Sequence, residues 1–367
     1  MPKISSDTLW DLAAAELQAR ESRTGDDGDE DEDDLVEDGN LCERTVLFMG
    51  SKSGGKTTIL LRCLDRDEVP KPTLALEYTF GRRARGHNTP KDIAHLWELG
   101  GGISLSDLVQ IPVTPLNVST VSVVLVLDLS KPSCLWGTME KLLQAALIQL
   151  EKVFAVPPRS RDSRASKPQN QSRELLRILP KDHPDRELIS PFPVPLLLIG
   201  SKFDIFQDFE SEKRRVICKT LRFLAHYYGA SLIFTSSKSE TTMSKARSFV
   251  SHLAFGTERG KSMSADPSKP LIIPSGMDSL SQIGSPPTID VDIGTLHARN
   301  PLDLWKKVFE RVFPPESTLE HKELKDPAKD PQYSEALIDS MRAQKNQELE
   351  QYKREQAKSW KGMALET

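Results

Sequence analysis

Residues Gly50–Thr57 read GSKSGGKT, between the apolar run Arg44–Met49 (RTVLFM) and the helix-prone Thr58–Leu64 (TILLRCL). The spacing is G-x-x-x-x-G-K-T behind a strand and ahead of a helix, the order a phosphate-binding loop requires. Glycines let backbone N–H groups turn inward around phosphate oxygens, and the following helix adds its positive N-terminal end. The candidate phosphate contacts are Gly50, Ser53, Gly54, Gly55, Lys56, Thr57 and Thr58. Lys56 is placed to reach the β- and γ-phosphates, and the Thr57 hydroxyl to ligate Mg²⁺ when nucleotide is bound.

Outward from this loop, strand and helix patterns alternate. Strand-like stretches are Arg44–Met49, Leu74–Arg83, Ile93–Gly101, Ser119–Ser130, Phe192–Asp204 and Ala230–Ser237. Helical patterns lie between most of them, at Thr57–Leu64, Leu135–Val153, Glu210–Tyr228 and Lys245–Ala254. Such alternation predicts an α/β fold with a six-stranded, mainly parallel sheet flanked by helices.

Further short elements select the class of P-loop fold. SKFD (Ser201–Asp204) follows the fifth strand and is similar to the N-K-x-D element of GTPases. There an aspartate accepts hydrogen bonds from guanine N–H groups, which adenine cannot offer, and the lysine stem packs on the base. Lys202 and Asp204 take these places, with Ser201 where asparagine is usual. TSSK (Thr235–Lys238) follows the sixth strand and puts Ser236 in the remaining base-contacting loop, while Thr73 stands where a switch threonine would meet Mg²⁺ and γ-phosphate. Together they indicate a Ras-like P-loop GTPase fold. The hydrolytic parts differ: WELGGGI (Trp97–Ile103) stands where small GTPases carry W-D-T-A-G-Q, so Glu98 replaces the aspartate and Gly102 the water-orienting glutamine. Phosphoryl transfer depends on positioning, so the expectation is weak or absent GTP hydrolysis and no catalytic residue. GTP or GDP with Mg²⁺ is then a structural ligand.

The 367 residues carry a net charge of −4, but this average hides a block. Asp26–Asp38 (DDGDEDEDDLVED) holds ten acids and no base, which leaves the remainder at about +6. Such a run reads as a solvated tail, with electrostatic docking as the alternative. The four cysteines, Cys42, Cys63, Cys134 and Cys218, form no C-x-x-C pair, which argues against a disulfide framework or zinc site and fits a reducing cytosol. No apolar stretch approaches a membrane-spanning length, no secretory signal pattern opens the chain, and no basic–aromatic interleaving suggests nucleic acid. His183, His226 and His252 share no metal spacing and read as packing or surface groups.

Four regions follow. Residues 1–40 combine a helix-like stretch, Ser6–Glu21, with the acidic run. Residues 41–256 form the Ras-like domain, interrupted by a basic, Ser/Pro-rich insertion at 157–191. Residues 257–300 are a Pro/Ser/Gly-rich linker in which Leu271–Pro274 (LIIP) is apolar enough to lie against the domain. Residues 301–367 form a helical, partner-binding extension. In it Pro301–Pro315 is amphipathic, whereas Tyr333–Lys361 is polar with a thin stripe of Leu337, Met341, Leu349 and Tyr352. A helix of the latter kind needs a groove or partner.

Longer stretches carry a family resemblance. Gly50–Gly102, Val124–Pro132 (VLVLDLSKP), Asp182–Asp185 (DHPD), Pro191–Ser236, Gln282–Pro287 (QIGSPP) and Asp326–Glu335 (DPAKDPQYSE) closely resemble dynein light intermediate chains, those of the dynein-2 motor. The likeness runs from about Leu41 to the end, weaker across Pro157–Lys181 and Lys238–Lys269. It implies a non-catalytic subunit that binds and stabilises the dynein-2 heavy chain, for retrograde intraflagellar transport and cilium assembly. The implied locations are cytoplasm, cytoskeleton, ciliary axoneme and basal body. The partners would be other dynein-2 subunits and the intraflagellar transport machinery, with no nucleic acid and no membrane insertion. A GTP-loaded switch that recruits effectors is the competing reading of the same residues.

Overall fold

In the computed structural model the described residues are 43–84, 91–155, 185–258, 260, 262–287, 298, 300–315 and 335–363. The expected helix Ser6–Glu21, the acidic run and most of the insertion lie outside them.

The sheet is built around β1 (Glu43–Gly50) and β4 (Val121–Asp128). Both are short runs rich in β-branched and large aliphatic residues, and such runs fit a strand covered on both faces. Burial confirms this by alternation. Leu47, Met49, Val123, Leu125 and Leu127 enter one apolar cluster, whereas Val46, Phe48, Val124 and Val126 enter the other. The remaining strands are β2 (Leu76–Arg83), β3 (Asp92–Leu99), β5 (Leu196–Ser201), β6 (Ser231–Phe234) and β7 (Ile272–Ile273), in the order β2-β3-β1-β4-β5-β6-β7. The pairs from β3 to β6 are parallel, and only the edge strands β2 and β7 run antiparallel. All six expected strands are therefore present in a Ras-like P-loop arrangement. The seventh is the LIIP segment, whose Ile272 and Ile273 pair with Ile233 and Leu232.

Helices cover both faces. On one side lie α1 (Lys56–Cys63) and, after β6, α5 (Glu240–Phe255), which contribute Ile59, Leu60, Met243, Ala246 and Val250. The other side carries a 3-10 segment (Gly102–Gln110), α2 (Pro132–Phe154), the single turn α3 (Phe203–Phe206) and α4 (Ser211–Tyr227).

Two later helices complete that second face. A short α6 (Leu280–Ile283) is joined to α4 by a buried bidentate ion pair, Arg222 to Asp278, with N···O distances of 2.9 and 2.8 Å. Beside it His226 Nε2 meets Asp185 Oδ2 at 2.9 Å, and that oxygen also accepts from the Leu280 backbone N–H. His226 is thus a packing group, as its spacing suggested. Helix α7 (Pro301–Val312) starts from Asn300, whose side chain accepts from the Asp303 N–H, with proline at the first helical position. Its Trp305 stacks on Phe223 at 4.5 Å between ring centroids and 8° between planes, and Phe309 packs near Trp136. This amphipathic stretch therefore lies on the domain. The last helix, α8 (Ala336–Met363), exposes its apolar stripe: Leu337 is 76% and Tyr352 59% accessible.

Candidate nucleotide-binding site

The loop leaves the C-terminal end of β1 through a position that has room for glycine alone. Gly50 has φ 145°, and a Cβ there would come within 1.9 Å of the Val126 carbonyl oxygen on β4. Ser53 follows at φ 56° and Gly55 at φ 89°, the residue that caps α1. Between them the Gly54 N–H donates to the Ser51 carbonyl at 3.0 Å, and Ser51 N–H donates to Val126 at 3.0 Å. Thr57 and Thr58 stand in the first turn of α1.

Lys56 is buried beneath this turn, where its Nζ donates to the carbonyls of Ser51 (3.0 Å) and Gly50 (3.4 Å). Burial pulls its pKa below the ordinary lysine value, and the Glu98 carboxylate opposes that shift. Thr57 Oγ1 donates to Glu98 Oε1 at 2.7 Å. Burial pushes the Glu98 carboxyl above the usual carboxylate range, opposed by hydrogen bonds from Thr57 and Thr73 and by the Lys56 charge. Thr73 also donates to Glu77 at 3.2 Å. Four sequence-predicted parts, Lys56, Thr57, Thr73 and Glu98, therefore converge at the mouth of the loop.

Glycine again fixes the approach of the neighbouring segment. Gly100 N–H donates to the Ala75 carbonyl at 2.7 Å, and a Cβ at Gly100 would meet the Thr73 carbonyl oxygen at 2.4 Å. Gly102 has φ 63° and lies so close to the loop that a Cβ would be 3.1 Å from the Lys52 amide nitrogen.

The elements expected to contact a base lie at the ends of β5 and β6. Lys202, with φ 59°, places its Nζ 2.5 Å from Asp128 Oδ2 at the end of β4. Asp204 accepts from Ser236 Oγ at 2.7 Å and pairs with Lys238 Nζ at 2.7 Å. Those two donors, Lys238 first, hold its carboxyl below the usual range. Ser201 does not reach the loop: its hydroxyl donates to the Leu127 carbonyl at 3.1 Å and ties β5 to β4. Sequence reasoning missed Asp128, which holds Lys202 and also accepts from Ser130. An acid at the C-terminal end of a central strand, next to the loop strand, was the available signal.

The residues fit a nucleotide's phosphates on the evidence of the left-handed loop, the helix start and the lysine, and fit guanine on the evidence of Asp204. In this geometry Lys56 and Asp204 are both held by groups of the chain itself, which a nucleotide would have to replace.

Strand order, loop and lysine together define a Ras-like P-loop domain. The sequence profile described as Dynein light intermediate chain (DLIC) matches residues 40–169 and 148–303. The chain is 73% identical to cytoplasmic dynein 2 light intermediate chain 1 of Danio rerio over 366 residues, covering 100% of both chains. Against the Homo sapiens protein of that name it is 58% identical over 364 residues, covering 99% of this chain and 100% of that one. Cytoplasmic dynein 1 light intermediate chain 1 of Homo sapiens is 21% identical over 271 residues, or 66% of this chain and 51% of the other. A solved conserved domain of a dynein light intermediate chain has 16% identity and a TM-score of 0.47, covering 66% of this chain and 85% of that chain. The chain belongs to the dynein light intermediate chain family.

Proposed function

We propose that this chain is an accessory, non-catalytic subunit of the dynein-2 motor, binding and stabilising its heavy chain for retrograde intraflagellar transport and cilium assembly. The observation that carries the reading is identity of 73% and 58%, end to end, with dynein 2 light intermediate chains, against 21% with a dynein 1 chain. The working location is then cytoplasm and cytoskeleton, with the ciliary axoneme and basal body as its specific sites.

Within that role the Ras-like domain is a rigid platform, and the phosphate loop holds GTP or GDP for stability. Bound nucleotide would supply phosphates for the loop N–H groups and for Lys56, and a base edge for Asp204. A ligand that binds only the folded chain adds about 3–4 kcal/mol at 100–1,000 times its dissociation constant. Turnover is not expected, because Gly102 offers no side chain to orient water. Thr57 stays a candidate Mg²⁺ ligand, with Glu98 behind it.

The partner reading is tested by affinity capture from ciliated cells, wild type beside Lys56→Ala, with co-purifying proteins quantified. Heavy chain at equal yield per folded protein supports a platform indifferent to nucleotide. Failure of the wild type to bring down dynein-2 heavy chain would overturn the subunit assignment.

A second reading, a GTP-loaded switch that recruits effectors, is favoured by the convergence of Thr73 and Thr57 on Glu98. Single-turnover hydrolysis separates the two, since a rate clearly above the uncatalysed background belongs to the switch.

A further inference from the structure

The strand pairing gathers positive charge at one corner of the sheet, opposite the phosphate loop. Arg82 sits across from Ile93, which is paired in turn with Glu43. One row further, Arg83 faces Asp92. Arg82, Arg83 and Lys91 are exposed, whereas Asp92 is buried. Among the described residues no carboxylate lies within ion-pair distance of Arg82, Arg83 or Lys91. Arg82 leans over the Phe80 ring at 5.0 Å, and the nearby Glu43 faces His95 at 3.7 Å instead. Arg82 and Arg83 stand on β2, an edge strand of the sheet, and Lys91 directly precedes β3. An edge strand with open backbone groups calls for cover.

The chain supplies a matching segment at this corner. Glu43, the first residue of β1, follows the acidic run Asp26–Asp38 by only five positions. Five extended residues reach roughly 17 Å, and two strand spacings separate β1 from β2 by about 10 Å. The end of the run is therefore tethered within reach of the cations, at high effective concentration. The run brings ten negative charges, and the nearby Glu43 at this corner is turned to His95.

We propose that the acidic run Asp26–Asp38 docks on the basic end of the β2–β3 hairpin of its own chain, on Arg82, Arg83 and Lys91, and covers the edge strand there. Single exposed ion pairs are weak, so the contact rests on many charges acting through a short tether and is sensitive to salt.

Lys91 makes the contact measurable, because carbodiimide joins carboxylates to an amine without a spacer. The full-length chain, mixed with an equal amount of ¹⁵N-labelled chain, is treated at low and at roughly 0.5 M salt, and its peptides are read by mass spectrometry. Links within one chain between Lys91 and residues 26–38, reduced severalfold at high salt, are the expected result. Links from the run mainly to lysines elsewhere, no links, or links of mixed isotope content would overturn the proposal, the last in favour of a second copy. A second full-length variant, with Asp29–Asp34 changed to Asn and Gln, controls for trapping by the reagent. Its β2 amides should exchange hydrogen severalfold faster than wild type with melting temperature unchanged, and equal rates would also overturn the proposal.

Discussion

The Thr57 hydroxyl donates to the Glu98 carboxylate across 2.7 Å, joining the first turn of α1 to the end of β3. An aspartate would be one methylene shorter, so the glutamate brings its charge closer to the hydroxyl that P-loop domains turn toward Mg²⁺. The pair also sits beside the buried Lys56, and the Lys56 and Glu98 charges each oppose the shift that burial imposes on the other.

Glu98→Gln tests that coupling by its pH dependence. The folded Glu98 carboxyl titrates above its ordinary value of 4.5 because burial disfavours the charge. A raised folded pKa means the native state holds its proton more tightly than the unfolded chain does. The wild type accordingly loses stability, relative to the uncharged glutamine variant, as pH rises from that ordinary value through the folded one. Urea midpoints of the two proteins across this window should diverge in favour of Glu98→Gln, and a flat difference would count against the burial argument.

Asp204 carries the opposite sign. Lys238 and Ser236 hold its carboxyl below the ordinary 3.8, so its contribution is full above that value and is lost as pH falls from there through the lower folded value. Asp204→Asn should melt lower than wild type near neutrality, with the gap closing on acidification. The same variant should lose preference for guanine over adenine nucleotides in fluorescent-nucleotide titrations. Unchanged preference would remove Asp204 from the base-reading role.

Most of this site could be read from the chain because its parts are local. The loop needs glycines at fixed offsets, and each switch or base-reading element is three or four residues at the end of a strand. What stayed hidden is non-local: Asp128 meets Lys202 across 74 positions, and no spacing rule connects them. The strands were legible for a related reason, since β1, β4 and β5 each contain an apolar run of at least four residues. Ile272 and Ile273 were seen only as an apolar scrap, because two residues hold too little pattern to predict a strand. Helix α7 was legible as amphipathic, but its partner was not, because the matching aromatic, Phe223, lies on a helix far earlier in the chain.

That stacking predicts the size of one effect. Trp305 is 4% exposed and lies flat on Phe223, with Phe309 and Phe313 continuing the contact along α7. Removing a buried aromatic costs about 3–5 kcal/mol. Trp305→Ala should lower the chemical-denaturation midpoint accordingly, whereas Leu337→Ala on the exposed α8 should shift it by less than about 0.5 kcal/mol. Comparable losses for the two would mean that α8 secures the domain as much as α7 does.

Gly102→Gln asks whether the missing glutamine alone explains the expected lack of hydrolysis. The position has φ 63°, which costs a non-glycine residue roughly 1–3 kcal/mol. A Cβ there would also press the Lys52 amide nitrogen at 3.1 Å, so the loop itself must give way. The variant should therefore unfold at a lower temperature and still show no single-turnover GTP hydrolysis above background. If it hydrolysed GTP at full stability, the close approach of Gly102 to the loop would not be what keeps this site from turning over.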